Sequence, residues 1–313
     1  MKKTIAALIT VLLFLQCMTA CGGTENPPTP ADYSIYVYQN AGDTLTPQYT
    51  GEKFDTLTRT SKAALTVKQT VIDGQGVNLY YEETRKTSFY EDARDVFSTT
   101  YNGNLLLIEY NERTGKIARY ERYSECTDRD YVSDVNPQSD EGAFVSYAKG
   151  LLLDLTGVSV EGREMSIATK IIKEDGSAEY DTRFVNNSAS DENFRAEYTF
   201  FFRAYIDGIA RADDVSITVT NVGELCSLTA LAYDEAYRRF EDITIDEALV
   251  RSKVEQAFSS VQGTHNVDTY TVELRCLPLD SDLWVEARVE YSYRDADPTV
   301  VSGIVYLIKV AQG

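Results

Sequence analysis

The sequence predicts an α+β fold: antiparallel β-sheets, each packed by a helix, preceded by a β-rich N-terminal module. Three observations carry the prediction. Residues 33–123 hold β-branched and aromatic runs separated by turn signals, with no segment of helical period. Two later segments, 143–155 and 244–261, place apolar residues at helical spacing. Each is followed by further strand-like runs, so the order helix-then-strands occurs twice.

The chain opens on a segment outside that body. Lys2 and Lys3 precede an apolar run, Ile5 to Leu15, broken only by Thr10 and too short to span a bilayer stably. Met18-Thr19-Ala20 then leads into Cys21-Gly22-Gly23. This junction resembles the lipobox of bacterial lipoproteins, with Met18 where Leu is usual. The resemblance implies that residues 1–20 are a signal peptide and that Cys21 becomes the lipidated N-terminus. It implies an anchor on the extracytoplasmic face of a bacterial cell membrane. Cys17, after Gln16, fits a cleavage site less well, and a secretory signal with incidental cysteines is the plainer alternative. Several acyl chains, at about 0.8 kcal/mol per buried methylene, hold stably where one does not. Residues 21–32 form a tether containing three of the seven prolines. At ~3.1 Å per residue it places the body ~30 Å from the membrane at most.

The N-terminal module spans 33–135. Its strand candidates are 33–38, 64–72, 77–81, 105–110 and 116–121, and the turn signals include Asp73-Gly74, Asn102-Gly103 and Asn111 to Gly115. The polar stretch 128–140, with Pro137, marks a boundary. A second module, 138–242, has Phe144, Ala148, Leu151, Leu152 and Leu155 on one helical stripe. Strand candidates follow at 179–186, 195–206, 215–220 and 224–231. The third module, 243–313, opens on Thr244-Ile245-Asp246-Glu247, which reads as a capping box. Leu249, Val250, Val254, Ala257, Phe258 and Val261 form its apolar stripe, and strands follow at 269–277, 283–294 and 300–310.

Phe200-Phe-Phe-Arg-Ala-Tyr-Ile-Asp-Gly-Ile209, then 214–220, then Gly223 to Ser227, resembles a PepSY-like repeat, and 244–310 resembles a poorer second copy. The likeness implies a helix packed on an antiparallel sheet, with inhibitory or protein-binding roles in some relatives. It carries no catalytic residues.

Composition excludes several chemistries. Forty-nine acids against 30 Lys+Arg leave a net charge of −19, which argues against a nucleic-acid partner. Loss of Lys2 and Lys3 with the leader deepens this to −21. Any histidine-based nucleophilic machinery must run through the one histidine, His265, which sits in a loop context. Cys126, Cys226 and Cys276 include no CxxC pair; buried thiols are the default, and a Cys226–Cys276 bridge stands as an alternative that spacing does not indicate. Ser146 and Lys149 have the S-x-x-K spacing of penicillin-recognising enzymes but lack that family's other motifs. Asp128 to Asp134 lacks the Gly and distal Glu of an EF-hand, and Asp295-Ala-Asp297 reads as a turn. No catalytic, cofactor-binding or metal-binding residue is assigned.

Tyrosine is abundant at 22 residues, and Tyr36, Tyr38, Tyr80, Tyr81, Tyr90, Tyr101, Tyr110, Tyr120 and Tyr123 cluster in the first module. They would form a recognition platform only by sharing one face; strand propensity alone also explains them. The expectation is a non-enzymatic, lipid-anchored extracytoplasmic protein that binds a protein or cell-wall partner through a sheet edge or tyrosine face. Two alternatives stand beside it: a wall-polymer hydrolase using paired carboxylates, and a PepSY-type protease inhibitor or folding module.

Overall fold

The structure is a computed structural model that describes residues 27–41, 44–47, 59–60, 67–72, 75–85, 92–123, 139–186, 194–232, 234–264, 266–279, 281–294 and 301–313. Of the described residues, strand accounts for 56% and helix for 19%. The class is therefore β-rich, which corrects the α+β expectation of helix-packed sheets behind a separate β module. The physical reason is that strands from every part of the chain bond into two large sheets, so backbone pairing and core lining come mainly from strands. Each long helix adds one apolar stripe. Among the strands that the sequence left unassigned, the two long ones, Arg94–Tyr101 and Glu164–Ile172, add most to the imbalance.

Eleven described strands form the larger sheet. Its order is Ala178–Asp181, Glu164–Ile172, Arg195–Arg203, Asp214–Thr220, Leu225–Leu231, Ile117–Tyr123, Asn104–Asn111, Arg94–Tyr101, Gln75–Arg85 and Arg59–Thr60. Val67–Ile72 also pairs with Gln75–Arg85, and every pairing is antiparallel. The join between residues 59–123 and 164–231 runs through Ser227↔Glu121 and Leu228↔Tyr120. One face buries Leu79, Phe97, Leu106, Ile108, Phe200 and Ile217. Phe144, Ala148 and Leu152 of the Glu141–Thr156 helix complete that core. Asp140 caps this helix by accepting from the Ala143 N–H at 2.8 Å, and Gly157 ends it at φ 73°.

The smaller sheet has eight described strands, ordered Tyr205–Ile206, Ile209–Arg211, Val267–Leu279, Asp282–Tyr293, Val301–Gln312, Ile35–Ala41 and Thr44–Pro47, with Thr29–Pro30 beside Val301–Gln312. Val285, Ala287, Val289 and Ile308 share its main core with Val250, Val254 and Phe258 of the Glu247–Thr264 helix. Asp246, not Thr244, caps that helix by accepting from the Leu249 N–H at 2.9 Å. On the opposite face Leu277, Trp284 and Leu307 are buried, and Tyr36 packs 5.5 Å from the Trp284 ring.

One hairpin ties the sheets together. After Arg203 the chain leaves the larger sheet and turns at Asp207 (φ 45°) and Gly208 (φ 82°). Ile209–Arg211 then joins Val267–Leu279 in parallel before Asp214 returns. The segment carrying the PepSY resemblance is thus divided between two sheets.

Candidate interaction surface

The sheet face turned away from the larger core leaves several large apolar groups in water. Side chains alternate across a strand, so register alone assigns the face. Val67 stands opposite Tyr80, Tyr80 opposite Ser98, Ser98 opposite Leu107, and Leu107 opposite Glu121. Two residues along, Leu105 lies in the neighbouring row, and Val71 faces Gly76. Val67, Val71, Tyr80 and Leu105 are 52%, 68%, 54% and 49% exposed. Four large apolar side chains thus collect at one end of one face. A Cβ placed on Gly76 would meet no atom within 4 Å, so the surface beside Val71 is open.

The other side of the same hairpin is held down. Lys68 Nζ lies 3.1 Å from the Tyr110 ring centroid, and burial lowers its ammonium pKa while Asp95 opposes the shift. The Tyr101 hydroxyl donates to the Ile72 carbonyl at 3.4 Å.

The tyrosines do not share this face. Tyr101, Tyr110 and Tyr120 are buried in the larger core, Tyr81 packs edge-on to Phe97, and Tyr36 sits on the other sheet. Tyr80 alone of the described cluster members is largely exposed. Tyr90 and the side chains of Tyr38 and Tyr123 lie outside the described residues.

Among the described residues, several charged side chains converge at two buried places, in addition to the buried Arg122–Glu224 pair. At the junction of the sheets, Arg163 Nη2 is 2.8 Å from both Asp213 and Asp234, and Arg211 Nη2 is 2.5 and 2.8 Å from the same acids. Arg211 also lies 3.9 Å above the Tyr237 ring. Burial pushes the Asp213 carboxyl up, against the pull of Arg211 and Arg163. On the larger sheet, fully buried Glu109 pairs with Arg85 and, at 2.9 Å, with Arg94. The acids that this fold gathers are thus tied to arginines.

The remaining sequence candidates are dispersed. Ser146 and Lys149 are exposed on the Glu141–Thr156 helix. Cys226 is half-buried and Cys276 is buried. Cys21, His265, Cys126, Asp128 to Asp134 and Asp295-Ala-Asp297 lie outside the described residues. Among the described residues, no group of three or more His, Cys, Asp or Glu could hold a metal ion, and no helix is long and apolar enough to cross a membrane.

The exposed patch was not legible in the sequence. Val67, Val71 and Leu105 fall in runs read as strands, but nothing local says which face stays uncovered. Compared with family models, curated proteins and solved structures, the chain matches none.

Proposed function

We propose that the chain is a lipid-anchored, extracytoplasmic, non-enzymatic binding protein. It holds a protein or cell-envelope partner against the open face of its larger sheet. One observation carries the binding role: Val67, Val71, Tyr80 and Leu105 stand together in water on one face. Several large apolar side chains exposed on one sheet face mark an interaction surface more often than scattered single residues do. The anchor reading rests on the charged and apolar leader running into Ala20-Cys21-Gly22.

Photo-cross-linking in intact cells tests the surface. A cross-linking residue at Tyr80 is expected to give a discrete adduct, whereas one at Tyr180, also exposed but at the far edge of the sheet, should not. Equal adducts from both positions, or none from Tyr80, would overturn the proposal. Cys21→Ser tests the anchor independently. It should release the protein from membranes or block its maturation, and unchanged membrane association refutes lipidation there.

A further inference from the structure

Val67–Ile72 pairs along its whole length with Gln75–Arg85 and, among the described residues, with no strand on its other side. The register sets which backbone groups face outward. Ile72 opposes Gln75 across a two-residue connection, which makes them a pair that exchanges both hydrogen bonds. Alternation then assigns bonded pairs to Thr70↔Val77 and Lys68↔Leu79.

The neighbouring ladder gives the same phase. Asn102 and Gly103, both at positive φ, close Tyr101↔Asn104 as a bonded pair. Ser98 is therefore out of phase with Leu107 and turns its backbone to Tyr80. Val67, Gln69 and Val71 are left directing N–H and C=O away from the sheet, while their side chains stand exposed on its open face. Lys68 and Ile72 fix the inner side of the same strand.

The geometry points to strand addition at this edge: an extended, basic segment of a partner protein pairs with Val67, Gln69 and Val71, its apolar side chains prolonging the row through Tyr80. This rests on the binding role proposed above and names its chemistry. Main-chain hydrogen bonds give such a partner affinity, and the exposed valines select alternate apolar residues. Charge selects its sign. A chain of net charge −19 attracts Lys- and Arg-bearing strands and repels a second copy of itself.

The probe is a synthetic peptide alternating Val with Lys, titrated into the full-length protein and followed by fluorescence anisotropy. Three comparisons accompany it: the peptide N-methylated at alternate residues, the same peptide with Glu for Lys, and the Gln69→Pro protein. Proline at 69 removes an outward N–H and leaves the ladder to Gln75–Arg85 intact, as edge strands tolerate. The Val-Lys peptide should bind, and more weakly as salt rises. N-methylation or Gln69→Pro should weaken it about tenfold or more, and the Glu peptide should not bind.

Failure of the Val-Lys peptide to bind, or equal binding of its N-methylated form, overturns strand addition; the N-methyl arm needs no variant to fold. Loss with Tyr80→Ala but not with Gln69→Pro refutes strand addition while leaving the face as a binding surface. Self-association abolished by Gln69→Pro would assign the edge to a second copy and overturn the basic partner.

Discussion

Arg163 and Asp213 form an ion pair of 2.8 Å with only 3% and 1% of their side chains exposed. Arg163 precedes one strand of the larger sheet, and Asp213 lies where the chain returns from the smaller one. Breaking a buried pair leaves a charge that neither water nor a partner solvates. Asp213→Ala leaves two guanidiniums on Asp234 alone and should cost about 3–5 kcal/mol. Urea unfolding measures this directly. Because the two groups act together, Arg163→Met combined with Asp213→Asn should lose less than the sum of the single changes. Strict additivity would mean that the pair contributes nothing as a pair.

Tyr237 reaches across the same junction. Its hydroxyl donates to the Cys276 carbonyl at 2.7 Å and accepts from the Ala212 N–H at 3.1 Å. Cys276 belongs to the smaller sheet, and Ala212 ends the hairpin that joins the two. Tyr237→Phe keeps the ring under Arg211 and removes only the hydroxyl. A loss of about 1–3 kcal/mol in unfolding free energy is expected, as for buried groups left unpaired. Loss below a few tenths of a kcal/mol would show that the Ala212 N–H, 2.6 Å from the same carbonyl, suffices alone.

These contacts mark the limit of what local pattern conveys. Both long helices and most strands were legible because their apolar residues recur at 3.6 or 2 positions. Arg94–Tyr101 was not, since Arg94 occupies a buried position that is tolerable only beside Glu109, fifteen residues downstream and on another strand. Glu164–Ile172 was missed because it mixes Met, Ser, Ala and Thr without clean alternation, yet it pairs along its whole length with Arg195–Arg203. The twice-repeated order of helix then strands suggested α+β; the joins Ser227↔Glu121 and Tyr36↔Leu307, distant in sequence, make two large sheets instead. Tyrosine abundance was likewise visible, but cross-strand register buries Tyr110 and Tyr120 while exposing Tyr80.

The two described thiols should react differently. Cys276 is buried, and burial pushes its thiol up to about 12, so it holds neither thiolate nor a path for reagent. Cys226 is half-buried, its Sγ 3.8 Å from the Glu224 carbonyl. Alkylation of the native protein followed by peptide mapping should modify Cys226, and Cys276 only after denaturant is added. Equal rates at both positions would show that the smaller sheet opens locally around Cys276.

Alkaline titration should separate the tyrosines. Burial raises Tyr306 to about 12 and raises Tyr198 and Tyr237 as well. Burial, then the hydrogen bond with Tyr293, takes Tyr291 to about 12, while the same bond lowers Tyr293. An acid raised in the folded state keeps its proton longer there than in the unfolded chain, where tyrosine ionises near pH ~10. Its contribution to stability is therefore present below pH ~10 and is lost as pH climbs toward the folded values. Unfolding free energy should fall steadily above pH ~10. Ultraviolet difference spectra should show an early phase that includes Tyr293, then a late one coincident with loss of near-ultraviolet circular dichroism. Tyr293→Phe should reduce the early phase, move Tyr291 earlier by removing its partner, and leave the late phase of Tyr198, Tyr237 and Tyr306 in place. A single early phase from all tyrosines, with the fold retained, would contradict the burial of Tyr198, Tyr237 and Tyr306.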